Sequence, residues 1–305
     1  AECEMPNATD PGLSSLDPAL MACVGSVELI ARTVVEGFLV GLHRSPFKGF
    51  SAEFSEYRQY LPGDDPARID WKVVARSDRY YVKRFEEDTN LDCHLLLDVS
   101  ASMGYASRAV TKLQYGAFLA AALAYLMHRQ RDAVGLSIFD DQVIESFPVS
   151  TRSGHLRTLL AALSNTRLGV RSDVSKPLDQ LAARLRRRGL VVLLSDLLDE
   201  PNGIIQGLKH LRFQGSDVLV LHILDPAELT FPFERPARFE DMETNAQVVS
   251  VPGLVRQHYL REIGALQERY RRELRLANID YHLVDTSRPL DEALLSYLST
   301  RGRRT

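Results

Sequence analysis

Two aspartates each close a short apolar run: Asp98 ends Cys93-His94-Leu95-Leu96-Leu97-Asp98, and Asp196 follows Leu190-Val191-Val192-Leu193-Leu194-Ser195. Hydroxyls stand at every second position after the first aspartate, at Ser100 and Ser102. Runs this apolar read as strands buried on both faces of a parallel sheet. In open α/β sheets ligands bind beyond the carboxyl ends of the strands, where the strand order reverses, so Asp98 and Asp196 are expected to converge on one crevice. Two carboxylates and two hydroxyls make a hard, all-oxygen donor set, which suits Mg²⁺ or Mn²⁺ and matches zinc poorly. A plainer use for Asp98 and Ser100 is to cap the helix that follows.

The elements that must position these residues can be placed by pattern. The core reads as strand 93–98, helix 111–130, strand 133–139, a hairpin through Asp140-Asp141 to strand 142–147, and helices near 152–163 and 175–188. Strand 190–195, helix 202–213 and strand 217–224 follow. Strands alternating with helices argue for an α/β fold, a doubly wound and mostly parallel sheet with one antiparallel edge strand. After Asp225-Pro226 the pattern changes to a hairpin insertion at about 229–251, with its turn at Glu243 to Asn245, then a helix at 254–276, a last strand at 279–284 and a helix after Pro289. Ahead of the core, residues 1–18 read as a mobile tail. Residues 19–90 read as a helix to about residue 42, with Leu29, Ile30, Val34, Phe38 and Leu42 at helical spacing, and then a loop-and-strand segment packed on the core. Residues 91–305 make up the core domain. The sole tryptophan, Trp71, is expected to fix the 19–90 segment to it.

Asp98-Val99-Ser100-Ala101-Ser102 resembles the metal-ion-dependent adhesion site of von Willebrand factor A domains. The resemblance implies two hydroxyls bound directly to the ion, a third from a Thr in a later loop, a distant Asp acting through water, and one position open for a partner's carboxylate. In Gly169-Val170-Arg171-Ser172-Asp173-Val174, Ser172 stands where that Thr usually is. The metal set so implied is Asp98, Ser100, Ser102, Ser172 and Asp196.

A longer stretch runs from Ser45-Pro46-Phe47-Lys48-Gly49-Phe50 through Tyr57-Arg58-Gln59-Tyr60-Leu61-Pro62-Gly63-Asp64-Asp65 to Ile69-Asp70-Trp71-Lys72. It is similar to the signature of the bacterial family catalogued as domain of unknown function 58. Members of that family carry an A-type domain directly after the signature. Arg238-Phe239-Glu240-Asp241-Met242-Glu243-Thr244 and Asp280-Tyr281-His282-Leu283-Val284-Asp285-Thr286 resemble its C-terminal part, so the likeness covers roughly residues 20 to 302. It implies an AAA+ ATPase of the MoxR type as partner, together with a client protein whose assembly or maturation the pair assists. Longer relatives often have membrane segments before the signature. None is evident here, which points to a soluble, cytoplasmic member.

Composition fits that reading. Apolar residues are 45% and charged residues 25% of the chain, ordinary globular usage. The net charge of −3 gives no electrostatic reason to expect nucleic acid or an anionic membrane. Cys3, Cys23 and Cys93 cannot all pair and lack metal-ligand spacing, as expected of thiols in a reducing compartment. The acidic start, Ala1-Glu2-Cys3-Glu4, has no apolar signal core. The apolar stretch 113–127 is shorter than a membrane span and reads as a helix buried under the sheet.

Other chemistry finds less support. Arg58, Arg68, Lys72, Arg76, Arg79, Lys83 and Arg84 lie among aromatic residues, but Glu53, Glu56, Asp64, Asp65, Asp70 and Asp78 are mixed in, which favours docking on the core over nucleic acid. Arg186-Arg187-Arg188 complements a helix C-terminus. A phosphatase using Asp98 as nucleophile would want a second carboxylate where Ser100 stands. No phosphate loop, His-x₃-His pair or Ser-His-Asp spacing occurs. The sequence therefore points to a metal-dependent protein-binding module and not to an enzyme. A hydrolase using the same ion to activate water, or a structural A-type scaffold with an empty site, are the competing readings.

Overall fold

The computed structural model describes residues 18–24, 26–44, 57–59, 81–83, 91–169, 173–185 and 188–301. Helices α1 (Pro18–Val24) and α2 (Val27–Arg44) come first, then strands β1 (Tyr57–Gln59) and β2 (Tyr81–Lys83), which pair antiparallel. The core follows as β3 (Asp92–Asp98), a 3₁₀ turn (Ala101–Gly104), α3 (Lys112–Arg129), β4 (Ala133–Phe139), β5 (Val143–Ser150), α4 (Ser153–Ser164), α5 (Ser175–Arg184), β6 (Leu190–Ser195), α6 (Pro201–Phe213) and β7 (Asp217–Leu224). Helix α7 (Pro226–Thr230), the hairpin β8 (Ala237–Glu240) and β9 (Gln247–Ser250), α8 (Pro252–Leu276), β10 (Asp280–Asp285) and α9 (Leu290–Arg301) complete it.

The main sheet has the order β10-β7-β6-β3-β4-β5. Every pairing in it is parallel except β4 with β5, so the expected class is the one observed: a doubly wound, mostly parallel sheet with one antiparallel edge. The order reverses between β3 and β6, because the chain winds outward through β4 and β5 on one side and through β7 and β10 on the other. Along the edge the β4–β5 ladder slips register twice, between Val134 and Leu136 and between Ile138 and Phe139.

Alternation divides the central strands between two apolar layers. Leu95, Leu97, Val192, Leu194, Leu219 and Leu221 face α2, α3, α4 and α9, while Leu96, Val191, Leu193, Val218 and Val220 face α5, α6 and α8. Helix α3 is buried along nearly its whole length because the sheet lies on one side of it and α2 on the other. Its apolar run is thus a core helix, as the sequence led us to expect. Among the described residues, no helix is long and apolar enough to cross a membrane.

Three differences from the sequence reading have local causes. The helix expected over 18–42 is two helices, because Ser26 starts a new one, its carbonyl accepting from Ile30 N and its hydroxyl from Leu29 N. The short α7 was not anticipated; Asp225 caps it in a capping box with Glu228, and Pro226 opens it. The helix expected to reach residue 188 ends at Arg184. The signature segment, Trp71 included, lies outside the described residues apart from the β1–β2 pair. Cys93 is buried in β3.

Candidate functional site

Parallel pairing of Leu97 with Leu194 brings Asp98, the last residue of β3, beside the end of β6 at the point where the sheet order reverses. Ser195 Oγ donates to Asp98 Oδ2 at 2.5 Å, and Ser100 N donates to Asp98 Oδ1 at 2.9 Å. Ser195 Oγ in turn accepts from Leu197 N at 3.0 Å. Leu197 is buried with φ of 52°, a left-handed conformation that costs a non-glycine residue on the order of 1–3 kcal/mol. The surroundings hold it there: Tyr270 Oη donates to its carbonyl at 3.1 Å.

Ser100 opens the 3₁₀ turn, yet its hydroxyl makes no capping hydrogen bond and lies 3.1 Å from Ser102 Oγ. The capping task that Asp98 and Ser100 could have served falls to Thr111, which forms a reciprocal capping box with Gln114 at the start of α3. Asp98 and Ser100 are therefore buried polar groups collected at a strand end with no part in capping α3.

Asp98 is fully buried, and burial together with the nearby Asp196 charge pushes its carboxyl up to about 7, against the opposing pull of the Ser195 and Ser100 hydrogen bonds. Among the described residues no cation pairs with it. Asp196, by contrast, is already matched. Its Oδ2 accepts from Lys112 Nζ at 2.7 Å, its Oδ1 from Leu198 N at 3.3 Å, and its carbonyl from His222 Nε2 at 2.7 Å. Lys112 Nζ also reaches Glu228 Oε1 at 2.6 Å. Burial alone would lower the Lys112 ammonium, and the two carboxylates beside it outweigh that and raise it. Burial lowers His222 to about 4, so the ring is neutral; its Nε2 proton goes to the Asp196 carbonyl, and its Nδ1 accepts from Tyr281 Oη at 2.7 Å.

The structure thus brings Asp98, Ser100, Ser102 and Asp196 together at the switch point, while Ser172 lies outside the described residues. The loop leading to it does approach: Gly169 N donates to Val99 O at 2.6 Å. Sequence reasoning missed Lys112 and Glu228. A signal for Lys112 was present, since a lysine in the first turn of a helix opposes the helix dipole and needs a local anion to justify it.

The donors can be tested against a hard divalent ion. Octahedral Mg²⁺ with oxygens at 2.0–2.1 Å sets neighbouring oxygens about 2.8–3.0 Å apart, close to the 3.1 Å between the two serine hydroxyls. A buried carboxylate without a counter-cation lies next to them. Among the described residues no cluster of three or more His, Cys, Asp or Glu side chains could hold a metal ion, so an ion here would rest largely on hydroxyls. That is a fit for Mg²⁺ or Mn²⁺ and not for zinc.

Residues 56–269 match the model of the family described as protein of unknown function DUF58. An uncharacterized protein of Mycobacterium tuberculosis is 28% identical over 293 residues, 94% of this chain and 91% of its own length. Among solved structures, the conserved hypothetical protein BatB of Bacteroides thetaiotaomicron is 15% identical, with a TM-score of 0.46 over 70% of this chain and 100% of its own. The SpRpn10 VWA domain is 14% identical, with a TM-score of 0.36 over 68% of this chain and 94% of its own.

Proposed function

We propose that this chain, which belongs to the DUF58 family, is a metal-dependent protein-binding module whose partner supplies a carboxylate. The observation that carries the reading is Asp98: a buried carboxylate without a counter-cation, at the sheet's switch point, beside two hydroxyls spaced like neighbouring ligands of Mg²⁺. Ser100 and Ser102 would hold the ion with Asp98, Ser172 would add a third hydroxyl, and Asp196 would act from farther away. The ion would supply a positive charge open on one side to an Asp or Glu of the partner.

The chain's own groups set up that contact. Ser195 and the Ser100 amide orient the Asp98 carboxylate, so its direction is fixed before any ion arrives. The ion pair with Lys112 Nζ at 2.7 Å holds the Asp196 side chain toward α3. His222, whose Nε2 donates to the Asp196 carbonyl, has both ring nitrogens engaged and is not available as a general base, which supports binding over hydrolysis. A MoxR-type AAA+ ATPase and an unidentified client are the partners that the family likeness favours, and a cytoplasmic location belongs to the same reading.

Calorimetric titration of the purified chain with Mg²⁺ and Mn²⁺ tests the site. Weak binding is expected, because hydroxyls are neutral ligands and Mg²⁺ gives up water reluctantly. Asp98→Ala should abolish binding with the thermal transition retained. Equal binding by both proteins would remove the site. A pull-down with and without EDTA, run beside a phosphoester and peptide substrate screen, then separates a binding module from a hydrolase.

A further inference from the structure

The hairpin β8–β9 is a two-stranded ribbon, and such a ribbon is marginal in water unless something holds it. Here both ends are held. At the base Phe231 packs on Phe233, Phe239 and Tyr259 at centroid distances of 5.1, 5.6 and 4.7 Å. Arg256 donates to the carbonyls of Phe231 and Phe233 at 3.0 and 2.6 Å. At the tip Met242 rests on the 3₁₀ turn: a Cβ placed on Gly104 would come within 3.3 Å of the Met242 terminal methyl. The ribbon is therefore fixed in shape before anything meets it.

Register decides which backbone groups of β9 turn away from β8. Asp241 N donates to Ala246 O at 2.9 Å, so these two residues form a hydrogen-bonded pair. Antiparallel pairs alternate between bonded and non-bonded, which makes Phe239–Val248 and Ala237–Ser250 bonded pairs and Glu240–Gln247 and Arg238–Val249 non-bonded ones. The amides and carbonyls of Gln247 and Val249 thus point outward along the β9 rim. Side chains add to the pattern. Phe239 faces the aromatic base, and Val249 belongs to the opposite face, where it is 78% exposed. Val248, Val251 and Leu254 are 62, 46 and 82% exposed, so β9 and the first turn of α8 leave a continuous run of apolar surface in water.

Charge selects the occupant of this rim. From Ala246 to Val255 no residue is charged. A two-fold axis at Val249 would set Val249 against its own counterpart and Gln247 against Val251, with no like charges opposed. The outward rim of β8 differs, because its outward-facing residues are Arg238 and Glu240, and Pro236 precedes them. Two copies joined through β9 would be closed on both sides by charged β8 strands, which gives a discrete pair and not a growing chain. We propose that the outward rim of β9 is a homodimer contact, in which two copies pair their β9 strands antiparallel about Val249 and join the two hairpins into one continuous sheet. Val249 N of each copy donates to Val249 O of the other.

The test is sedimentation equilibrium of the full chain as wild type, Val249→Lys, Val249→Asp and Val249→Pro. EDTA is present throughout, so that no ion contributes, and thermal melts establish that each variant is folded. Val249→Pro removes the outward amide and costs the hairpin no hydrogen bond, because that amide does not face β8. Wild type should dimerise with rising concentration, and Val249→Lys and Val249→Pro should each raise the dimer dissociation constant at least about tenfold. Mixing Val249→Lys with Val249→Asp should restore association, because opposite charges then face each other across the axis. A wild-type chain that stays monomeric to about 100 μM would overturn the proposal, as would a dimer retained in both Val249→Lys and Val249→Pro. A mixture that associates no more tightly than either charged variant alone would overturn the placement of the axis at Val249.

Discussion

Lys112 offers the sharpest perturbation of the network beneath the site. Its side chain is fully buried, with Nζ 2.7 Å from Asp196 Oδ2 and 2.6 Å from Glu228 Oε1. Lys112→Met keeps most of the aliphatic stem and removes the ammonium, leaving two carboxylates face to face in a low-dielectric interior. Breaking a buried ion pair by deleting one partner typically costs about 3–5 kcal/mol. An unfolding entropy of about 2.1 cal/mol/K per residue over 305 residues gives about 0.64 kcal/mol/K, so the expected fall in melting temperature is roughly 5–8 °C. The assay is scanning calorimetry at pH 7 with EDTA present. Burial already holds the Glu228 carboxyl above its usual range, so the deficit should narrow as the pH is lowered and the stranded Glu228 takes up a proton. The double variant Lys112→Met, Glu228→Gln should recover part of the loss, because one of the two charges is then gone. A melting temperature within about one degree of wild type at pH 7 would refute the argument that this ammonium neutralises the pair.

Two further outcomes follow from the packing and from the buried imidazole. Gly189→Ala should destabilise the fold by about 1–3 kcal/mol, read from denaturant unfolding, because the new Cβ would sit 2.2 Å from the Asp92 carbonyl oxygen where β3 and β6 meet; an unchanged midpoint would show that the backbone yields freely. His222 ionises near 4 in the folded chain and near 6.5 when unfolded, so below pH 6.5 the unfolded state binds the extra proton and stability is lost as the pH falls from 6.5 toward 4. The loss is on the order of 3 kcal/mol, and His222→Gln should flatten stability against pH in that window; an unaltered slope would assign the acid sensitivity to other groups.

The central strands were legible because burial on both faces leaves a continuous apolar run: β6 and β7 fall on the expected residues. The switch-point convergence of Asp98 with the β6 end followed from the same runs, since parallel strands of similar length end together. What the sequence did not disclose is long-range. Lys112 was visible only as the flank of an apolar stretch, and its two anions come from residues 84 and 116 positions away. The split between α1 and α2 was local and readable, because Gly25-Ser26 is a plausible stop followed by a cap; the helical spacing of the apolar residues concealed it. The hairpin turn was placed correctly, but nothing in its alternation indicates that Met242 rests on Gly104.

The two register slips along β5 carry a consequence for self-association. An open sheet edge is a template for another chain's strand, and a straight, regular edge invites stacking of copies. Here the outer strand bends twice against β4, carries Pro148, which has no amide hydrogen to donate, and presents exposed Glu145 and Ser146. A second copy cannot continue the ladder in register along such a rim. Concentrated solutions of this chain should resist strand-to-strand aggregation through β5.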